Sequence, residues 1–145
     1  MKSSVWHPNT QMNEWSSFDT ITKGKGIWLI DSQGNKIIDA VGSMWCNVWG
    51  HSNPQLVKAI TKQSKKIQHS SLFNLTNEPG EKLAKNLIKI SPGMNKVFYS
   101  DNGSSAMEIA IKMALQYWKN IGEIKKTQIA TIENGYHGDT FGAMS

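Results

Sequence analysis

The sequence contains no arginine. All 16 basic side chains are lysines; against 11 carboxylates they leave a formal net charge of +5. Without a guanidinium the chain cannot form a bidentate fork with a carboxylate. A carboxylate ligand must then be held by lysine or by another segment. The lysines are spread along the chain, and only Lys62-Lys65-Lys66 and Lys125-Lys126 cluster. A nucleic-acid surface concentrates its charge and favours arginine, so that class is set aside. The single cysteine, Cys46, excludes a disulfide framework and fits a reducing compartment. No apolar run approaches the ~20 residues of a membrane span. Met1-Lys2-Ser3-Ser4-Val5-Trp6-His7-Pro8 has no apolar stretch of the secretory kind. The expectation is a cytoplasmic protein with no membrane partner. His7, His51, His69 and His137 include no pair at metal-ligand spacing, so no metal site is expected.

What is present is an ordinary globular mixture. The chain has 145 residues, 39% of them hydrophobic, enough for one domain or a piece of something larger. A folded chain of this size buries roughly two-thirds of its unfolded surface, so a core is expected. There is no internal repeat. Residues 1 to about 23 are polar and tryptophan-bearing without a clear period, and read as an arm. Gly26–Ile30 and Lys36–Ala40 flank the turn Asp31-Ser32-Gln33-Gly34-Asn35 and predict a β-hairpin. The Gly- and Trp-rich stretch Val41–His51 fits no helix. Asn53-Pro54 starts a helix with Asn as N-cap, and Leu56, Val57, Ile60 and Ile67 form its apolar stripe. Asn77 caps a second helix, with Leu83, Ala84, Leu87 and Ile88 inward, stopped by Ser91-Pro92-Gly93.

The unit that follows carries the most information. Lys96–Ser100 reads as a strand, Asp101–Ser105 as a tight turn, Ser105–Asn120 as a helix and Gln128–Ile132 as a second strand. Strand–helix–strand implies a parallel sheet with a right-handed crossover. The helix is apolar on most of its circumference, which predicts cover on several sides. Glu108 and Lys112 are ordered for an i,i+4 pair. Glu133–Ser145 reads as a Gly-rich loop.

Two segments could carry chemistry. Asp101-Asn102-Gly103-Ser104-Ser105 joins a strand to a helix N-terminus, where free amides and the positive dipole end favour an anion. Gly103 would let a ligand approach the backbone. The turn lacks the spacing and lysine of a Walker loop and the glycines of a dinucleotide turn. It is either a phosphate cradle or an ordinary capped turn. Asn134-Gly135-Tyr136-His137-Gly138-Asp139-Thr140-Phe141-Gly142 follows the next strand and would share its sheet edge. Tyr136 could stack on a planar ring. His137 could be a base oriented by Asp139, or a histidine satisfied by backbone groups. Trp45 to Trp49 either wall an apolar pocket or pack.

Three longer runs then carry a resemblance. They are Val97-Phe98-Tyr99-Ser100-Asp101-Asn102-Gly103-Ser104-Ser105-Ala106-Met107-Glu108, Lys112-Met113-Ala114-Leu115-Gln116-Tyr117-Trp118 and Asn134–Ser145. With Trp6-His7-Pro8-Asn9-Thr10-Gln11-Met12 and Trp45-Cys46-Asn47-Val48-Trp49-Gly50-His51, the chain resembles the diaminopelargonic acid aminotransferases of biotin synthesis. These are class III, pyridoxal-phosphate-dependent enzymes of fold type I. The likeness spans nearly the whole chain.

The resemblance implies an α/β fold. Residues 1–52 would form an arm and β-hairpin of the small domain, and 53–145 the start of the large cofactor-binding domain. It implies pyridoxal 5'-phosphate as cofactor, with Gly103 and Ser104 on its phosphate and Tyr136 stacked on its ring. Tyr136, Trp45, Met44 and Asn9 would line the substrate pocket. It implies ping-pong transfer of an amino group to 8-amino-7-oxononanoate, giving 7,8-diaminononanoate, in a homodimer. Asn9 stands where the family usually has an aromatic residue, and Met44-Trp45 where users of S-adenosylmethionine carry a Trp pair. The donor is therefore S-adenosylmethionine or an amino acid such as lysine. No lysine here matches the Schiff-base motif; that Lys and the family's key Asp and Arg lie further along. The chain is thus expected to be an N-terminal piece with no catalytic residue of its own, inactive alone. Another class III ω-aminotransferase is the neighbouring reading. A phosphate-binding module or a non-catalytic subunit is the distant one.

Overall fold

The computed structural model describes residues 3–15 and 17–144. They fall into two compact units, dividing between Leu75 and Thr76.

The first unit is built on a three-stranded antiparallel sheet in the order β1-β2-β3. β1 is Ile21–Lys25, β2 is Trp28–Asp31 and β3 is Lys36–Ile38. The hairpin expected from the sequence is β2–β3, with Trp28 opposite Ile38 and Ile30 opposite Lys36. Asp31 organises its turn. Its carboxylate accepts the amides of Gln33 and Asn35 and the Asn35 side chain, each at 2.8 Å. The Asn35 amide beside it holds the Asp31 carboxyl below its usual range. β1 falls in and just beyond the stretch read as a featureless arm. Its residues Ile21-Thr22-Lys23-Gly24-Lys25 have too few apolar positions to show a strand period, and the ladder to β2 makes the strand. The rest of the lead-in also has structure: His7 stacks on Phe18 at 3.9 Å, and Met12–Glu14 make one 3-10 turn.

The Gly/Trp stretch does contain a helical turn, α1, at Gly42–Trp45, but of left-handed sense. Asn53 caps α2 (Pro54–Ser64) through the amides of Gln55 and Leu56, as the sequence predicts; Ile67 lies beyond its end.

The second unit holds α3 (Glu78–Ile90), capped by Asn77, and α4 (Gly103–Asn120), capped by Asn102. A short helix, α5 (Phe141–Met144), breaks the expected loop. Trp118 packs edge-on to Tyr117 and carries the Lys126 ammonium 3.4 Å above its ring.

Three expectations need correction. Segments 96–100 and 128–132 flank α4 as predicted, yet form no ladder among the described residues. A crossover connection need not join adjacent strands, so the parallel sheet is not assembled by this pair alone. Second, α4 is not covered: Met107, Met113 and Tyr117 are all exposed. Third, the core is nearly absent. Among the described residues Ala143 is the one buried apolar side chain. The accessible surface is 13305 Å², where scaling gives about 7,500 Å² for a folded chain and roughly 23,500 Å² unfolded. Under half of the unfolded surface is removed, not two-thirds.

The helix starts are fixed locally by their caps. The Asn102 side-chain oxygen accepts the Ser105 amide at 2.8 Å. In the full-length protein, Asn102→Ala is expected to cost about 1 kcal/mol and Asn102→Asp much less. Urea titration of the two variants checks this; equal midpoints would remove the cap from the account.

Candidate functional site

The second unit brings the start of α4 and the 134–142 loop together. With Asn102 holding the Ser105 amide, the amides of Gly103 and Ser104 keep no hydrogen-bond partner among the described residues. A Cβ at Gly103 would meet nothing within 4 Å, so the backbone there is open to approach. The Ser104 hydroxyl oxygen accepts the Asp139 amide at 3.0 Å, and the same hydroxyl bonds the Tyr136 phenol, so its proton sits between the helix start and that ring. Gly138 makes that closeness possible: it has φ +135°, and a Cβ would lie 2.7 Å from the Ser104 Cα.

The loop is tied a second time, one turn along the helix. Glu108 Oε2 accepts the Thr140 hydroxyl and the Gly142 amide, each at 2.9 Å. Lys112 Nζ stands 3.9 Å from Glu108 Oε1, so the expected i,i+4 pair is loose beside these bonds. Sequence reasoning missed this anchor, because its partners lie more than thirty residues away.

Tyr136 sits beside this seat with its ring 76% exposed. Its hydroxyl donates to Asp139 Oδ2 at 2.9 Å, and that carboxylate pushes the phenol above its usual value. The suggested His137–Asp139 pairing does not form. Asp139 is engaged by Tyr136 and Ser104, and the His137 ring meets the Thr131 hydroxyl at 2.6 Å.

Two amides, an adjoining hydroxyl and a positive helix end in one place suit the oxygens of a phosphate. An exposed ring alongside suits a planar group. The residues thus fit a phosphorylated aromatic cofactor. No group of three or more potential metal ligands exists among the described residues.

The other predicted pocket residues belong to the first unit. Asn9 is exposed, with φ 49°. Met44 and Trp45 lie in α1 and are 62% and 75% exposed. Trp45 does not pack; with Val41, Val48 and His51 it borders an open recess of about 330 Å³. Gly42, Ser43, Met44 and Trp45 all have φ between 50° and 68°. Outside glycine that region costs roughly 1–2 kcal/mol per residue.

Asp39 lies against this strain. Oδ1 accepts the Ser43 amide at 2.8 Å, and Oδ2 accepts the Ser43 hydroxyl at 2.7 Å. His51 Nε2 is 2.7 Å from the same Oδ2. The carboxylate is only 6% exposed. The Ser43 amide first, then its hydroxyl and His51, outweigh burial and hold the Asp39 carboxyl at about 2, against an ordinary 3.8. Neither Asp39 nor His51 was singled out from the sequence, since contacts four and twelve residues apart obey no helical or strand period.

The profile of the aminotransferase class-III family matches residues 11–145. The chain is 52% identical to the adenosylmethionine-8-amino-7-oxononanoate aminotransferase of Staphylococcus aureus, over 97% of this chain and 32% of that protein. It is 48% identical to the enzyme of that name from Methanocaldococcus jannaschii, over 99% and 32%. The crystal structure of a Methanocaldococcus jannaschii enzyme of that name overlays with a TM-score of 0.94 at 49% identity, covering 99% of this chain and 34% of that one. The omega transaminase of Pseudomonas jessenii, solved in complex with PMP, overlays at 0.88 and 32% identity, covering 94% and 31%. The chain spans about a third of the length of the curated relatives it matches.

The depressed Asp39 carboxyl has a signed consequence. Its bonds stabilise the fold fully above its ordinary value of 3.8, and that contribution disappears as pH falls through about 2. Wild type and Asp39→Asn should therefore differ in urea midpoint at pH 5 and converge between pH 4 and 2. A difference that stays constant across this window would contradict the assignment.

Proposed function

The chain belongs to the class-III aminotransferases, a pyridoxal-phosphate-dependent family of fold type I, and from that premise we propose that it is the N-terminal part of an enzyme aminating 8-amino-7-oxononanoate. The product is 7,8-diaminononanoate. The donor is S-adenosylmethionine, or lysine given Met44 and Asn9 where aromatic residues are usual. The observation that carries the reading is the seat at the start of α4, with Tyr136 tied beside it through Asp139 and Ser104. The name shared by the relatives supports the substrate.

Bound pyridoxal phosphate supplies the electron sink through which an amine is exchanged for a carbonyl. The chain's own residues do the holding. Gly103 and Ser104 donate two amides to the phosphate, beside the Ser104 hydroxyl. Tyr136 would stack on the ring, its hydroxyl proton donated to Asp139. Asn9, Met44 and Trp45 form part of the substrate wall. The covalent lysine, the acid on the ring nitrogen and the arginine for a substrate carboxylate lie outside these 145 residues. Residues 1–52 supply the arm and hairpin of the small domain, and 53–145 open the cofactor-binding domain. The whole enzyme is a homodimer and works in the cytoplasm. No helix of the described residues is long and apolar enough to cross a membrane.

A second reading, an ω-aminotransferase of other substrates, is favoured by the 0.88 overlay with the Pseudomonas jessenii enzyme. One experiment separates them. The full-length protein carrying this chain is incubated with pyridoxal phosphate, 8-amino-7-oxononanoate and either S-adenosylmethionine or lysine. Mass spectrometry should detect 7,8-diaminononanoate with one donor. No diamine with either, but turnover of simple amines with pyruvate, would select the second reading. In the same protein, Tyr136→Ala should weaken cofactor binding about tenfold, the scale of one lost ring stacking. An unchanged cofactor Kd would remove Tyr136 from the site.

A further inference from the structure

The left-handed turn α1 is held by Asp39 and His51, which border the same recess as Trp45. Three consecutive residues with side chains, Ser43, Met44 and Trp45, stand at φ 50°, 59° and 68°. A stretch of this kind persists only where its surroundings over-determine it. Within the turn, the Trp45 amide bonds Val41 O at 2.9 Å and the Asn47 amide bonds Gly42 O at 2.9 Å. From outside, one carboxylate takes both polar groups of Ser43.

That carboxylate is itself fixed to the sheet. His51, on its other side, exchanges two backbone bonds with Gly26 at the β1–β2 corner, 2.8 and 3.0 Å long. Ser52 Oγ donates to Gly24 O at 2.7 Å. The His51 ring lies where a Cβ on Gly24 would come within 2.8 Å. A continuous path runs from the sheet through His51 and Asp39 to Ser43, the residue before Met44-Trp45. No other titratable side chain contacts this carboxylate among the described residues.

We propose that Asp39, backed by His51, is a positioning residue: it locks the left-handed turn Gly42–Trp45 to the sheet and so sets where Met44 and Trp45 stand. This rests on the reading that those two side chains meet the substrate. Both Asp39 oxygens are occupied by Ser43 and His51, so it acts through the turn, and its effect should appear in substrate affinity rather than in the chemical step.

The test uses the full-length protein with Asp39→Ala and the double variant Asp39→Ala/Ser43→Gly. Loss of bonds to a carboxylate should raise KM for 8-amino-7-oxononanoate about tenfold or more. The turnover number at saturation and the visible absorbance of bound cofactor should stay within about twofold, as for loss of uniform binding. The double variant should recover part of the KM, because glycine adopts positive φ without a steric cost. An unchanged KM, or a fall in turnover number with no KM effect, would overturn the proposal. So would a double variant no better than the single one. Should Asp39→Ala not fold, Ser43→Ala removes the hydroxyl bond alone and is held to the same KM criterion. Wild type without diamine product would instead sink the functional reading. The proposal then stands or falls on amide exchange at Ser43 and Trp45: exchange accelerated by Asp39→Ala supports it, and unchanged exchange refutes it.

Discussion

Three carboxylates fix the irregular segments of the two units by accepting backbone amides. Asp31 closes the hairpin turn, Asp39 holds α1, and Glu108 holds the loop before α5. Each accepts a backbone amide that would otherwise be left to water, and each takes a second donor as well. Buried apolar area stabilises without choosing a geometry, whereas charge-assisted bonds do choose. Large hydrophobic side chains such as Trp6, Phe73 and Phe141 are exposed in these residues, which span about a third of the length of the curated relatives.

The same economy shapes the seat at α4. Phosphate-binding sites need donors without acceptors in the way. Asn102 caps the helix through the third amide only, leaving the first two free. Asp139 could have intruded as a negative charge. Instead its amide is turned to the Ser104 oxygen and its carboxylate to the Tyr136 hydroxyl. Gly138 is the geometric condition for both, since any side chain there would collide with Ser104.

How much of this was legible in the sequence depends on the range of each interaction. Asn53 and Asn77 were readable as caps because a cap acts within three residues, whereas α4 begins at Gly103 rather than Ser105, with Asn102 as its cap. The β2–β3 hairpin was readable from its Asp-Ser-Gln-Gly-Asn turn, and the Gly103-Ser104 seat from its place between an extended segment and a helix. β1 was not, because Thr22, Lys23, Gly24 and Lys25 take strand form from their neighbour rather than from their own pattern. The left-handed α1 was hidden for a stronger reason. Ser43, Met44 and Trp45 all disfavour positive φ, so local propensity points away from the observed turn. Against that preference stand the backbone bonds of Trp45 to Val41 and Asn47 to Gly42, and the Asp39 carboxylate that His51 meets from twelve residues on. The fate of 96–100 and 128–132 is likewise set by ladder partners that neither segment provides for the other.

The absence of arginine fits this division of labour. The seat at α4 presents neutral donors, two amides beside a hydroxyl, and a helix dipole worth about half a charge. That suffices to orient a phosphate, whose affinity a covalent bond elsewhere can supplement. It does not suffice to bind a substrate carboxylate in one geometry, for which a planar fork is better suited than the mobile point charge of lysine. A chain of this composition is thus suited to seating a phosphate, and it has no fork with which to hold a carboxylate. The Asp39 charge is likewise consumed within the fold. Although Asp39 borders the recess beside Trp45, its two oxygens are taken by Ser43 and His51, so what it contributes there is position rather than a free charge.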